Sequence, residues 1–289
     1  ASAARSCVQL HIAARLARVC LELTARCTKC VADRDVHVFV GVVDADRARA
    51  EAIAMQYGTR VYPRAEDLLG QVDAVTVASP TGTHVDVALP FVGGGIPVLV
   101  EKPLAASLME AGRLLDASAR RCTLVAVGHP ERFNPAVAAA IPLIADPRFI
   151  EIHRLGTFPD RSLDIDVVFD LMIHDLDLLL TVVRSEVVGI EAVGVNVVTR
   201  RTDIANARLR FASGCIANLT ASRISRDRVR KARFFQRSAY ISIDYAAQEV
   251  ERYQLEGQEG RSALAGGRLD VVREEPLKRE LEDFVRAVR

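Results

Sequence analysis

The sequence predicts an α/β chain in two parts: a parallel, doubly wound sheet, then an α+β domain with an open antiparallel sheet. Three observations carry this. From Val36 to Val127, short β-branched runs alternate with helical segments, the pattern of βαβ units. After Gly128 the alternation stops, and from Val187 strand follows strand. The chain has 289 residues, half of them apolar, enough for two cores at roughly 100–200 residues per domain. The expected domains are residues 1–128 and 129–289.

Taken in order, Val8, Ile12, Leu16, Val19 and Leu23 recur at helical spacing and predict an amphipathic helix over 8–25. Val36–Val43 is a strand that runs into Asp44, and a helix follows to Tyr57, stopped by Gly58. Ala65–Leu69 is a short helix, Asp73–Ala78 a buried strand, Thr83–Gly93 a helix and Pro97–Val100 a strand. Ser107–Arg120 reads as a helix with Ser107 as N-cap and Glu110 as its capping-box partner. Thr123–Val127 is the last strand of this series, and residues 129–145 and 166–184 are helical. The later strands are 187–198, 203–211, 215–224, 231–237, 239–245 and 248–255, with a hairpin turn at Ser213-Gly214.

Composition narrows the function classes. Lys and Arg total 38 and Asp and Glu 37, so the general electrostatic nucleic-acid binder, which is basic, is disfavoured. The longest apolar candidate, Val167–Val183, is broken by Asp170, His174, Asp175 and Asp177, which argues against a membrane span. Four of six cysteines, Cys7, Cys20, Cys27 and Cys30, crowd the first thirty residues. Cys27 and Cys30 form a lone C-x-x-C with no second pair at zinc spacing, so no metal site is expected; free thiols fit a cytoplasmic location. Arg5, Arg15 and Arg18 interrupt any signal-peptide apolar core, and both ends of the chain read as incomplete.

A parallel doubly wound sheet takes ligands at the carboxyl ends of its strands, and three features fall there. Asp44 can accept the ribose hydroxyls of an adenosine, favouring NAD over NADP, or it can cap the following helix. Ser79-Pro80-Thr81-x-x-His84 can line a nicotinamide ribose or make a plain turn and cap. Glu101-Lys102-Pro103 puts a lysine at a strand end, where its charge can polarise or protonate an oxygen. In the second domain Asp170 and His174 lie four apart on one helix face. His174 can take a proton from a hydroxyl and Asp170 can orient it; alternatively, the histidine merely caps a buried polar spot. Asp175 and Asp177 follow in the same apolar helix, where burying an acid is costly.

The segments DAVTVASPTGTHVDVA, GIPVLVEKPLAASLMEA, VGHPERFNPAV and DVVFDLMIHDLDLLL, in this order and spacing, resemble the glucose–fructose oxidoreductase / inositol dehydrogenase (Gfo/Idh/MocA) family. The resemblance runs from about residue 36 to the end of the chain. It implies a Rossmann domain, NAD as cofactor with NADP possible, and hydride removal from a secondary hydroxyl of a sugar, sugar nucleotide or cyclitol. It makes Lys102 the E-K-P lysine, and His174 and Asp170 the acid/base pair. It sets Pro80 and His84 by the nicotinamide and Asp44 on the ribose, with Ser79, Thr81 and Glu101 beside the cofactor. Arg132 and Asn134 match its R-F-N-P segment, and Lys102 and His174 are implied to share one interdomain cleft. HPERFNPAV and FASGCIANLTASRIS are most similar to the branch that oxidises the 3-hydroxyl of UDP-N-acetylglucosamine. The basic run Arg223–Arg237 can meet a diphosphate or form a solvated or subunit-facing edge. A homodimer or homotetramer is expected through the second sheet, whose strands carry apolar or small residues on both faces.

One departure is large. The family opens with a strand and G-x-G-x-x-G, which holds the pyrophosphate, whereas here no glycine precedes Gly41. Ala1-Ser2-Ala3-Ala4 stands where that loop belongs, so the first strand and glycine loop are expected to be degraded and cofactor binding lost or weak. The excess of Cys, Ala and Arg up to about residue 35 reads as an out-of-frame segment. The codons GCN-TCN-GCN-GCN, moved by one nucleotide, can read Gly-Val-Gly-Gly. A second reading of the chain is therefore a non-catalytic or damaged family member.

Overall fold

The computed structural model describes residues 9–13, 38–158, 165–256 and 263–289; the C-x-x-C and most of the expected helix over 8–25 lie outside them. The chain divides into two compact units. The second is Glu131–Pro276, and the first combines the chain up to Pro130 with Leu277–Arg289. The sequence places everything after Gly128 in the second domain, but the last helix returns to the first unit.

In the first unit β1 (Gln9–Ala13), β2 (Gly41–Asp44), β3 (Arg60–Val61), β4 (Ala74–Val77), β5 (Val98–Glu101) and β6 (Val125–Gly128) form one sheet in the order β3-β2-β1-β4-β5-β6. The pairs β2–β3, β4–β5 and β5–β6 are parallel. Every residue of β4 is buried, as expected of a strand covered on both faces. The helices are α1 (Arg47–Tyr57), α2 (His84–Gly93) and α3 (Leu108–Arg121). Asp46, not Asp44, caps α1 by accepting from Arg49 N at 3.2 Å. Gly58 closes that helix at φ 63°, a left-handed position that favours glycine. Ser107 caps α3 as expected, while the Glu110 carboxylate reaches Ala106 N rather than completing the box on Ser107.

The strand β1 corrects two expectations. Gln9–Ala13 is a strand, not the start of a helix, and it is antiparallel to both neighbours. Strands β2 and β4 run parallel to each other with a strand-wide slot between them. Filling that slot satisfies two open hydrogen-bonding edges, which outweighs the helical spacing of the apolar residues.

The second unit holds α4 (Pro135–Ala140), β7 (Pro147–Leu155), a π-helical turn at Val168–Met172 and α5 (Ile173–Val182). Its other strands are β8 (Val187–Val195), β9 (Ile204–Phe211), β10 (Ile216–Ser222), β11 (Val229–Gln236), β12 (Ala239–Asp244), β13 (Glu249–Glu256) and β14 (Ala263–Arg268). The order is β14-β13-β12-β11-β7-β10-β9-β8. The sheet is open and mostly antiparallel as expected, with one parallel pair, β7 and β10. Strands β7 and β14 are absent from the sequence reading, whereas the hairpin at Ser213-Gly214 forms, with Gly214 at φ 83°. One face carries the core, including Ile150, Ile152, Leu178, Leu179, Ala232 and Phe234. Across the strands an aromatic row, Phe149, Phe235, Tyr240 and Tyr253, is spaced at 5.6, 5.1 and 6.2 Å between ring centres. The last helix, α6 (Pro276–Val288), buries Leu281, Phe284 and Val285 in the core of the first unit.

Between β8 and β9 the chain turns around one buried carboxylate. Asp203 accepts from the amides of Val197, Val198 and Thr199 at 2.7–2.8 Å and from the Thr199 hydroxyl at 2.7 Å. The fully buried Arg223 lies 3.8 Å away. Burial works to raise this carboxyl, but the Thr199, Val198 and Val197 amides and the Thr199 hydroxyl outweigh it and hold it well below the usual range. The folded value lies below the unfolded one, so the contribution to stability is full above the ordinary carboxylate range and disappears as pH falls through the folded value. Asp203→Ala should destabilise the chain by roughly 2–4 kcal/mol at pH 7, because three amides lose their acceptor. The deficit should shrink below about pH 4 in denaturant titrations, and a deficit independent of pH would refute the assignment.

Candidate active site

In the first unit the turns after β4 and β5 are built from short-range contacts. Beyond β4 the chain passes Ser79 and Pro80 and makes a single 3-10 turn, Thr81–Thr83, before α2. The Thr83 hydroxyl lies 2.7 Å from Ser79 Oγ and 2.8 Å from the Pro80 carbonyl, so the turn is tied to itself. Beyond β5, the Lys102 amide donates to Glu101 Oε2 at 3.2 Å, and the Lys102–Pro103 peptide is cis. Glu101 sits opposite Gly128 in the ladder, where a Cβ would come within 3.2 Å of its carboxyl carbon. Burial pushes the Glu101 carboxyl up, against the nearby Lys102 charge.

His84 is held by backbone rather than open to solvent. It is buried, with Nδ1 2.9 Å from the Pro103 carbonyl and Nε2 2.6 Å from the Ser79 carbonyl. Burial pulls this imidazole below its ordinary value, while the carbonyls of Pro103, Ser79 and Leu104 oppose that. Asp44 also departs from expectation. Its carboxylate is sealed from solvent and gripped by Arg49, with Nε at 2.6 Å and a second guanidinium nitrogen at 2.7 Å. The Asp46 amide adds a bond at 2.7 Å. An acid so enclosed does not present its oxygens to a ribose.

In the second unit the expected cofactor residues Arg132 and Asn134 have structural partners. Arg132 makes a bidentate pair with Asp177 at 2.6 and 2.5 Å. Asn134 is buried, caps α4 by accepting from Ala136 N at 3.0 Å, and donates to the Tyr245 carbonyl at 3.0 Å. Asp175 explains the acid-rich helix, because it pairs with the buried Arg154 at 2.9 and 2.8 Å. Glu131 reaches the same guanidinium at 3.2 Å, and Tyr245 stacks beneath it at 5.2 Å. Burial works against the Arg154 charge, but Asp175 and Glu131 more than offset it and hold the guanidinium far above its ordinary value. Neither Arg154 nor Tyr245 was singled out from sequence; a buried acid in an apolar helix is itself the signal that a cation must face it.

Asp170 lies within the π-helical turn, and His174 follows in the first turn of α5, with its Nδ1 buried. The π turn widens the helix where Asp170 leaves it, a deformation common at functional sites. Arg154 fixes the same stretch through Asp175, next in sequence to His174. Among the described residues no group of three or more His, Cys, Asp or Glu side chains is placed to hold a metal ion, and no helix is long and apolar enough to cross a membrane.

The arrangement fits a nicotinamide dinucleotide only in part. The turns after β4 and β5 are formed. Among the described residues no phosphate-binding turn is present: the chain enters β1 at Gln9 beside Asp44 and leaves it at Ala13 beside Ala74. Strand β1 therefore ends at the edge opposite Ser79 and Lys102, whereas a phosphate-binding turn leaves its strand at the carboxyl edge.

A mostly parallel sheet followed by a mixed open sheet, with a lysine turn on the first and an Asp–His helix on the second, defines a Rossmann-type α/β oxidoreductase architecture. Residues 24–129 match the model described as "Oxidoreductase family, NAD-binding Rossmann fold", and residues 146–261 match the GFO/IDH/MocA C-terminal domain. The chain belongs to the Gfo/Idh/MocA oxidoreductase family. It is 37% identical over 252 residues to UDP-N-acetylglucosamine 3-dehydrogenase of Acidithiobacillus ferrooxidans, covering 86% of this chain and 80% of that protein. A solved structure of that enzyme, GnnA, superposes with TM-score 0.84 at 35% identity, over 91% of this chain and 84% of that one. Inositol 2-dehydrogenase 1 of Saccharopolyspora erythraea is 36% identical over 168 residues, 52% of this chain and 48% of that protein. The chain thus spans about half of that relative. An inositol dehydrogenase homologue from Azotobacter vinelandii, solved with NADH and myo-inositol, shares the fold at TM-score 0.78 and 18% identity, over 92% of this chain and 83% of that one.

Proposed function

We propose that this chain carries the proton-handling machinery of an NAD(P)-dependent dehydrogenase acting on a secondary hydroxyl of a sugar nucleotide. The observation that carries this reading is the survival of the Lys102 turn and the Asp170–His174 helix in a chain so similar to UDP-N-acetylglucosamine 3-dehydrogenase. In this reading His174 or Lys102 takes the hydroxyl proton, and Asp170 orients the imidazole or holds a neighbouring hydroxyl. The hydride acceptor that such chemistry needs is NAD, with NADP as the alternative. Homodimer or homotetramer assembly through the aromatic row of the second sheet belongs to the same reading.

The basic run supports a phosphorylated substrate over a plain cyclitol. Arg223 is buried on Asp203, Lys231 pairs with Asp244 at 3.2 Å, and Arg233 pairs with Glu151 at 2.8 Å. Arg230 stands opposite Arg154 in the ladder and is exposed, and its guanidinium makes no hydrogen bond or salt bridge with the described residues. Burial, followed by the Arg154 charge, pulls its guanidinium down, and a phosphate would relieve that repulsion. Calorimetry with UDP on the 289-residue chain tests this. Arg230→Ala should weaken UDP binding by about tenfold to a hundredfold, and unchanged UDP affinity would sink the diphosphate assignment.

A second reading, a member that keeps the fold but has lost its cofactor, is favoured by the antiparallel β1 and the sealed Asp44. NADH affinity separates the two.

A further inference from the structure

We infer that His84 is a positioning residue that holds the Lys102 turn against the turn after β4. The inference rests on the reading of Lys102 as a proton partner, but its test does not.

The β4–β5 ladder registers Val75 with Val98, Thr76 with Leu99 and Val77 with Val100, and the two turns lie beyond that register. His84 opens α2, so its backbone is fixed by a helix packed into the core, with Val85, Ala88, Phe91 and Val92 buried. From that anchor the ring spans two different turns: as a neutral imidazole it donates to one of the two carbonyls and packs against the other, and it donates to both only as the imidazolium. Nε2 faces the Ser79 carbonyl at 2.6 Å, and Nδ1 faces the Pro103 carbonyl, one residue past Lys102, at 2.9 Å.

A plain helix cap does not make this pattern. A capping side chain accepts from amides of its own first turn, whereas both ring nitrogens here face carbonyls outside the helix, one of them 19 residues away. The ring is 1% exposed, so water is poorly placed to replace either contact. On its other side the Lys102 amide is held by Glu101 Oε2. The Glu101–Lys102 peptide is thus held from β5 and the Pro103–Leu104 peptide from α2, while the Lys102 side chain stays half-buried. The direction of the lysine is then set by a histidine buried beneath the turn.

Hydrogen–deuterium exchange by mass spectrometry on the full chain tests this in three variants. His84→Phe fills the space without donating. Exchange should rise about tenfold or more in peptides covering 79–84 and 101–105 together, with peptides inside β4 and β5 unchanged. His84→Gln, whose amide nitrogen donates to one carbonyl, should recover one turn only. The rate of amine labelling of Lys102 at fixed pH should change in His84→Phe and return toward wild type in His84→Gln. Exchange rising evenly across the whole unit would make His84 a packing residue only. An unchanged labelling profile would remove its hold on Lys102, and either result overturns the inference. Lys102→Ala, in contrast, should leave the turn after β4 protected. If that variant keeps full dehydrogenase activity in a cofactor-competent form, the catalytic reading fails while the tie stands.

Discussion

NADH titrated into the purified 289-residue chain should give an affinity about two to four orders of magnitude below that of a repaired chain. The repaired chain would have a strand, a G-x-G-x-x-G turn and a helix in place of the first 35 or so residues. Two charge-assisted phosphate contacts are worth about 1.5–3 kcal/mol each, and both need amides aimed from the carboxyl edge of the sheet. Here β1 leaves at the opposite edge, and the Asp44 carboxylate is already bound by Arg49. Nicotinamide fluorescence is a direct readout. Micromolar affinity in the unrepaired chain would refute the expectation and would count against the reading of a member without cofactor.

In the repaired chain, Lys102→Ala and His174→Ala should each lower kcat by about 10²–10⁴, the usual worth of a positioned acid or base. Asp170→Asn should have a smaller effect and should alter the pH profile of His174, because its role is to orient or to hold a neighbouring hydroxyl. Stopped-flow measurement of NADH formation at saturating substrate separates the base from the merely electrostatic group. The residue whose loss removes the pH dependence of kcat is the proton acceptor. Full turnover in both single variants would dismiss the assignment. Residual binding of UDP in either variant would show that the substrate pocket is still folded.

How much of this was legible in the residues alone depends on whether local chemistry or tertiary packing decides. Ser107 and Gly58 were readable as helix boundaries because a cap is settled within a few residues. The Ser213-Gly214 hairpin was readable for the same reason. Strand β7 was harder: its buried face ends in Arg154, so its charged residues blur the apolar alternation. Strand β14 carries two adjacent glycines and offers almost no β-propensity. The π turn leaves no mark on side-chain spacing. Asp44, His84, Arg132 and Asn134 were all polar groups near a plausible ligand, and each is engaged by a partner that only the fold brings near. Arg49 was hidden because a surface-looking arginine in α1 gives no hint that it turns back on Asp44. Strand β1 was read as helix, because Val8, Ile12 and Leu16 keep helical spacing while the partners that make Gln9–Ala13 a strand lie far along the chain in β2 and β4.

The C-terminal helix also sets a timetable for the newborn chain. Leu281, Phe284 and Val285 complete the core begun by Val75, Phe91 and Leu114, yet all of Glu131–Pro276 is synthesised in between. At ~5–20 residues per second the early half waits on the order of ten seconds for its last helix. During that interval the inserted unit can finish folding while the apolar floor beneath α6 stays bare to the surrounding solution. A chain cut before Leu281 would therefore have a sound second unit and an unfinished first one, a form that chaperones and proteases recognise by its uncovered core.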